Sequence, residues 1–247
     1  MNNRNLEDYE KKYNDKDHYD FETFQIEFRR RNTLTLLNKN IHGSILEIGC
    51  GMEPLFNYLD DYTSYTVVEP SDIFYNVAKG LVGDDKRISL FHDYIENMIV
   101  DKQYDFIIVS SLLHEIENPV IVLDAIKKLC HTKSVVYINV PNAKSFHRLL
   151  ALEAGIISSI YNKSDNQIKF QQTHTYNITT LEGLVMSAGY AVVESGSYFV
   201  KPFTHSQMRM LLAHDVVSTD VLEGLENMIK YCPDLGSEIF LTCKLTQ

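Results

Sequence analysis

The order of apolar and polar positions divides the chain into three stretches. Residues 1–20 interleave acids and bases, with Tyr9 and Tyr13 one helical turn apart on an otherwise polar arm. From Phe21 to Asn40 the residues Phe21, Phe24, Phe28 and then Leu34, Leu37, Ile41 recur at threes and fours, which predicts an amphipathic helix with a polar reverse face. After His42-Gly43 the period changes. Short apolar runs at Ile45–Ile48, Tyr65–Val68, Ile88–Phe91, Phe106–Val109 and Val135–Val140 alternate with helical stretches, the pattern of β–α units. Their unbroken apolar character predicts parallel strands buried on both faces. Asn118-Pro119 predicts a helix start, with Val122, Ile126, Leu129 and Cys130 on its inner face. Thr179-Thr180-Leu181-Glu182 has capping-box spacing, and Gly189 is the expected stop of that helix.

The alternation is interrupted over residues 143–176. Ser145–Ile160 reads as a helix and Tyr161–Gln172 as a polar loop, an insertion placed to cap a site. Tyr190–Ser195 and Glu238–Lys244 read as strands at the sheet edge, separated by a loop and two helices over Pro202–Tyr231. The expected fold class is α/β, a doubly wound and mainly parallel sheet. Residues 1–40 form an N-terminal helical arm or lid, and residues 41–247 one domain with insertions at about 143–176 and 202–231.

Composition narrows the function. With 247 residues, 45% of them hydrophobic, the chain has the material for one well-buried core. A formal charge of −10 is the wrong sign for gripping a nucleic-acid backbone. The four cysteines form no C-x-x-C pair, no Cys/His cluster has metal-ligand spacing, and no apolar run approaches the roughly 18 residues of a membrane span. These features predict a reduced, cytoplasmic protein with no metal and with neither nucleic acid nor membrane as partner.

The sharpest chemical signal is Ile45-Leu46-Glu47-Ile48-Gly49-Cys50-Gly51-Met52-Glu53-Pro54, a buried strand running into a Gly-x-Gly turn with Pro54 ready to start a helix. Two glycines let backbone approach a ligand closely. A dinucleotide fingerprint needs a third small residue where Glu53 and Pro54 stand, and Glu47 beside the turn suits a cationic ligand head better than a phosphate. Glu69, at the end of the second strand, is placed to accept ribose hydroxyls. A nicotinamide-dependent oxidoreductase is the competing reading, but its Tyr-x-x-x-Lys pair is matched only by Tyr75 and Lys79 on the wrong helix.

Together, Glu47-Ile-Gly49-Cys-Gly51, Val67-Val68-Glu69-Pro70-Ser71, Phe91-His92-Asp93-Tyr94 and Tyr104-Asp105-Phe106-Ile107-Ile108-Val109-Ser110 resemble the class I S-adenosylmethionine-dependent methyltransferases. The resemblance covers about residues 40–200. It implies a Rossmann-like, seven-stranded sheet with a terminal antiparallel strand and S-adenosyl-L-methionine as cofactor. It further implies that Gly49 and Gly51 pass the methionine part, Glu69 holds the ribose, Asp93 reads the adenine amino group, and Ser110-Ser111 flank the sulfonium. Glu47, Cys50, Pro70, Ser71 and Tyr94 complete the implied cofactor side, Cys50 as small buried filler.

Methyl transfer is an in-line displacement, so the protein must align nucleophile and sulfonium and take a proton from a hydroxyl acceptor. Neutral imidazole suits that task, and His174, His147 and His114 are the candidates, in that order. Oxygen is the expected nucleophile, because Ser110-Ser111-Leu112-Leu113 stands where an adenine N-methylating enzyme has Asn-Pro-Pro-Tyr. The runs Pro141–Arg148 and Lys201–Met208, with His174 between them, resemble a branch associated with surface-polysaccharide and modified-sugar pathways. Residues 141–210 carry six bases and four acids in an otherwise acidic chain, which favours a small anionic acceptor, phosphate-bearing or nucleotide-linked. A non-catalytic cofactor-binding module is the remaining alternative, against which the histidine set weighs. Oligomeric state is open at this point.

Overall fold

The computed structural model describes residues 5–13, 19–38, 43–99 and 101–246, so the expected helix end at Asn40 and Ile41 and the boundary at His42 lie outside the described residues. Helices α1 (Leu6–Tyr13) and α2 (Tyr19–Asn38) precede the sheet. Strands β1 (Ser44–Ile48), β2 (Ser64–Val68), β3 (Ile88–Phe91), β4 (Tyr104–Ser110), β5 (Cys130–Pro141), β6 (Tyr190–Tyr198) and β7 (Glu238–Leu245) lie in the order β3-β2-β1-β4-β5-β7-β6. The first five pair in parallel, and β7 runs antiparallel between β5 and β6. The remaining helices are α3 (Asp72–Leu81), α4 (Pro119–Lys128), α5 (Phe146–Glu153), α6 (Asp165–Lys169), α7 (Ile178–Ser187), α8 (His205–Ala213) and α9 (Thr219–Asn227).

Several local expectations are corrected. β3 alternates between half-buried and exposed residues, because it is the sheet's outer strand instead of a doubly covered one. Cys130 is not on the α4 face: the helix ends at Leu129, and Cys130 opens β5 opposite Tyr104. The capping box sits two residues earlier than expected, with Asn177 accepting from the Thr180 N–H and Thr180 Oγ1 accepting from the Asn177 N–H. Pro54 opens only a single 3-10 turn, Leu55–Tyr58. The helix of the insertion stops at Glu153, ahead of Gly155 at φ +70°. Of the last two strands only β6 is at an edge; β7 is paired on both sides.

Alternation along the strands sorts side chains into two cores. Leu46, Ile107, Val109, Ile138 and Leu241 face α4 and α7, while Ile45, Phe106, Ile108, Tyr137 and Phe240 face α2, α8 and α9. On the second face the same parity buries three polar residues, Glu47, Asn139 and Glu238, at one end of the sheet.

Glu238 docks α2. Its carboxylate, 2% exposed, accepts from Arg29 Nε at 2.9 Å, Gln25 Nε2 at 3.2 Å, Asn139 Nδ2 at 2.8 Å and the Tyr198 hydroxyl, with a second Arg29 bond through Nη2. The reverse face of α2 is therefore not solvated as its polarity suggested, since Gln25 and Thr33 are buried beside Phe21 and Phe28. Glu47 latches the turn after β1. Its oxygens accept from the Leu55 N–H at 3.2 and 3.3 Å and the Tyr65 hydroxyl at 2.8 Å, and burial lifts its pKa to about 8.

Removing one partner of a buried charge pair strands the other, so Glu238→Ala should cost about 3–5 kcal/mol of stability in urea unfolding. Glu238→Ala combined with Arg29→Met should lose clearly less than the sum of the single changes; strict additivity would show that the two are not coupled. Glu47 keeps its proton to about pH 8 in the fold against an ordinary 4.5, so across that window the unfolded chain has released a proton that the folded one retains. Stability therefore falls as pH rises through the window and levels off above it. In Glu47→Gln that descent should be shallower by up to about 1.4 kcal/mol per pH unit, measured by urea unfolding; equal slopes would contradict the burial of a protonated Glu47.

Candidate active site

A cavity of about 560 Å³ opens where the C-terminal ends of β1, β2, β4 and β5 meet α1, α2 and the insertion. At its β1–β2 end, Gly49 and Gly51 adopt φ of +75° and +57°, a region closed to most side chains, and a Cβ built on Gly51 meets nothing within 4 Å. The Cys50 N–H donates to Glu69 Oε2 at 3.0 Å and the Ser71 N–H to Glu69 Oε1 at 2.9 Å, so the acid at the end of β2 clamps the glycine turn. Burial raises the Glu69 pKa against these backbone bonds. Burial also pushes the Cys50 thiol far up, which keeps it unreactive. Ser71 caps α3 by accepting from the Phe74 N–H and gives its own proton to Glu10 of α1 at 2.5 Å. Pro70, Ser110 and Ser111 also line this end, with Ser111 held at φ +53° and its N–H donating to the Asn139 carbonyl.

Three cofactor-side expectations change. Glu47 reaches the cavity wall, but with its oxygens taken by Leu55 and Tyr65 and its pKa at about 8 it is not the free carboxylate expected beside the turn. Asp93 and Tyr94 stand outside the lining. Asp93 Oδ1 is exposed and accepts from the Tyr94 N–H at 2.7 Å and Asn97 Nδ2 at 2.8 Å, while Tyr94 caps the 3-10 turn Ile95–Asn97. Tyr75 stacks on His92 at 4.3 Å, also outside the lining.

The cavity brings together all three expected histidines. His174 is half-buried, its Nε2 donating to the Glu117 carbonyl at 3.1 Å and its ring stacked on Tyr176. His114 is buried, with Nε2 3.8 Å from Glu115 Oε1 and its carbonyl accepting from the N–H groups of Thr173 and His174. His147 stands in the first turn of α5 with a buried Nδ1 that has no hydrogen-bond partner. Burial, then the charges of Lys201, His205 and Arg148, push its pKa well below the ordinary imidazole value.

Sequence reading missed the wall opposite the glycine turn, which comes from α2 and from the two ends of the last third of the chain. Glu22, Gln25 and Arg29 form one stripe of α2, and their spacing of three and four was the available signal. Glu22 lies 3.6 Å from Arg29 and 3.1 Å from His205 Nε2, and His205 Nδ1 lies 3.0 Å from Lys201 Nζ. Burial works against the Glu22 charge, yet His205, Arg29 and Lys201 hold its carboxyl down to about 2. Lys201 is 2% exposed, and burial lowers its pKa to about 8 against the pull of Glu22 and Glu238. Of the six bases counted over residues 141–210, only Arg148 and Lys201 line the cavity. Arg148 is fixed by the carbonyls of Ile160 and Asn162.

Helix α1 roofs the space. Tyr9 sits edge-on to Phe74 and Phe170, each at 6.2 Å, and Gln171 Nε2 donates to the Asn5 carbonyl at 3.1 Å. Among the described residues, no group of three His, Cys, Asp or Glu is arranged to hold a metal ion, and no helix is long and apolar enough to cross a membrane.

Comparison with known proteins agrees with this architecture. No curated protein sequence matches the chain. The fold is similar to that of the N-methyltransferase NodS from Bradyrhizobium japonicum, solved with S-adenosyl-L-homocysteine, at a TM-score of 0.61 and 13% identity over 98% of each chain. It is also similar to the plantazolicin methyltransferase BpumL, solved with a desmethyl plantazolicin analogue and the same product, at 0.57 and 19% identity over 98% of this chain and 91% of that one. A third structure, a possible histamine N-methyltransferase from Thermotoga maritima, gives 0.60 and 13% identity over 91% and 90%. A methyltransferase-domain family model matches residues 18–195. Since that match takes in the glycine turn, the acid after β2 and most of the sheet, the chain belongs to the methyltransferase-domain family, as a class I protein with S-adenosylmethionine for its cofactor.

Proposed function

We propose that the protein methylates a small acceptor that carries a hydroxyl nucleophile and an anionic group, a phosphate-bearing or nucleotide-linked sugar being the class its loops resemble. The observation that carries this reading is the continuity of one cavity from the Gly49–Gly51 turn to the cluster of His147, Arg148 and Lys201. The glycine end fits the cofactor: positive-φ glycines leave room for close approach, and Glu69 keeps lone pairs beyond its two backbone donors for ribose hydroxyls. Gly49, Cys50, Gly51, Glu69, Pro70, Ser71, Ser110 and Ser111 would hold it. When bound, it supplies an electrophilic methyl group on a sulfonium.

The opposite end supplies charge and a place for a proton. Arg148 is a half-buried cation in this wall, where a phosphate or carboxylate is held more strongly than at the surface, and the buried Lys201, with a pKa of about 8, lines the same space. His147, His174 and His114 border the same space, and of these His147 is neutral with an unused ring nitrogen. An amine acceptor is the second reading, favoured by Glu22, whose ionised carboxylate would attract a cationic substrate. Helix α1 would act as the lid, since it closes the cofactor end through Tyr9 and Glu10.

Incubation with labelled S-adenosylmethionine and fractionated metabolites from the same cell should place label on an anionic, hydroxyl-bearing acceptor. Turnover of an uncharged metabolite alone would remove the anion requirement. By calorimetry, Glu69→Ala should weaken S-adenosylhomocysteine binding about tenfold to a hundredfold, the range for losing hydrogen bonds to a charged group. Asp93→Ala tests the adenine contact implied by family resemblance, and unchanged affinity would remove Asp93 from the site.

A further inference from the structure

Resting on the methyltransferase reading, we propose that Lys201 is the catalytic base of the transfer, with His205 and Glu22 as the positioning residues that hold it and take its proton onward. The three side chains form an unbroken line into the cavity. Glu22 comes from the start of α2, His205 from the first turn of α8, and Lys201 from the segment after β6, and they converge on one line of polar contacts, an ion-pair distance from Glu22 to His205 followed by a hydrogen bond from His205 to Lys201.

The donors and acceptors assign the direction. Glu22 is ionised, and its charge favours a proton on the nearer His205 nitrogen, Nε2, 3.1 Å away. His205 Nδ1 then presents a lone pair to Lys201 Nζ at 3.0 Å. Lys201 fills that lone pair with one N–H. As the free amine it retains its own lone pair, and the cavity is the open side. A carboxylate–imidazole–amine line of this kind differs from a surface ion pair, because no carboxylate among the described residues lies within 4.0 Å of Nζ to hold it permanently charged.

The groups facing Lys201 set its affinity for a proton. Burial disfavours the ammonium; Glu22 from α2 and Glu238 from β7 favour it; His205 of α8 is its hydrogen-bond partner; and His147 of α5 senses its charge. The balance leaves the amine with a pKa of about 8, close to working pH, which is where general-base catalysis is most effective. In the step, the acceptor's O–H or N–H bond breaks and its proton goes to the Nζ lone pair. The new bond to the methyl carbon forms as the carbon–sulfur bond breaks, and that electron pair stays on sulfur. The extra proton then passes to His205 Nδ1, where the imidazolium is stabilised by Glu22.

Two measurements on the full-length protein test this. Titration of Lys201 by NMR with isotope-labelled lysine Cε, assigned with Lys201→Met, should show an inflection near pH 8, moved downward by at least about half a unit in His205→Leu, which removes the accepting nitrogen. An inflection at the ordinary lysine value would overturn the proposal. Single-turnover methyl transfer into the metabolite fraction that accepts label, followed over about pH 6 to 10, should rise through the same inflection in the wild type. Lys201→Met and Lys201→Arg should each lose about a hundredfold or more, with S-adenosylhomocysteine affinity unchanged. A Lys201→Arg protein with wild-type turnover would mean that only the positive charge matters, and would overturn the base role. An active wild type with an unaffected Lys201→Met would overturn it as well, leaving the methyltransferase reading intact. A wild type that transfers no methyl group to any fraction would overturn that reading and the base role together.

Discussion

Glu238 is a carboxylate with almost no access to water, and the position of α2 follows from how its charge is satisfied. An ionised acid in that environment is tolerated only when each lone pair meets a donor, and here Arg29, Gln25, Asn139 and Tyr198 meet them from three different elements. Two of those donors belong to α2, so the helix has one rotation and one height at which the carboxylate is fully bonded. That rotation carries Glu22, two turns before Arg29, to the cavity wall, where it meets His205. The fold of the N-terminal segment and the chemistry of the far wall thus depend on the same buried charge.

Two of the glutamates that line the cavity stand in opposite states, and neighbours explain the difference. Glu47 and Glu22 each suffer desolvation. Around Glu47 the donors are a backbone N–H and a phenol, neutral dipoles too weak to offset burial, and Glu69 adds repulsion, so the acid keeps its proton. Around Glu22 stand His205, Arg29 and Lys201, and charge-assisted bonding outweighs the same penalty. Hence Glu47 adds no charge to the end that holds the glycine turn, while the end opposite it is a set of paired charges. The proposed proton transfer would draw on the second.

The legible and illegible parts of the site differ in range. Periodicity placed the strands within a few residues, because burial on two faces leaves an unbroken apolar run, and the glycine turn was legible because positive φ demands glycine. Glu69 was singled out by its position at a strand end, and the Ser110–Ser111 pair only by family resemblance. The α2 wall was not. Gln25 and Thr33 read as part of a solvated face, since polar residues on a helix face water unless something buried meets them, and the partner of Gln25 lies about two hundred residues later at Glu238. Lys201 and His205 stood in a segment that sequence marked only by loose resemblance; their pairing with Glu22 exists only once α2 is docked. Glu47 shows the converse error: its position was right, but its charge state depended on Tyr65 and Leu55, which no spacing rule connects to it.

The two coverings of the cavity are held by forces of different size, and that difference settles which one gives way. α2 is fixed by a buried ion pair with three further polar partners and by Phe21 and Phe28 packed on Phe199. α1 is held by Tyr9 between two rings, at about 0.5–1.5 kcal/mol for each aromatic pair, by the bond from Ser71 to Glu10, and by exposed bonds between Asn5 and Gln171. Elements with few buried contacts open at lower free energy than the global fold. On the proposed lid reading, a bulky cofactor would enter and leave past α1 without disturbing the Glu238 network. The wall of the proposed proton relay would then remain assembled through each exchange of ligand, so the part of the site that must be pre-organised is the more firmly held one.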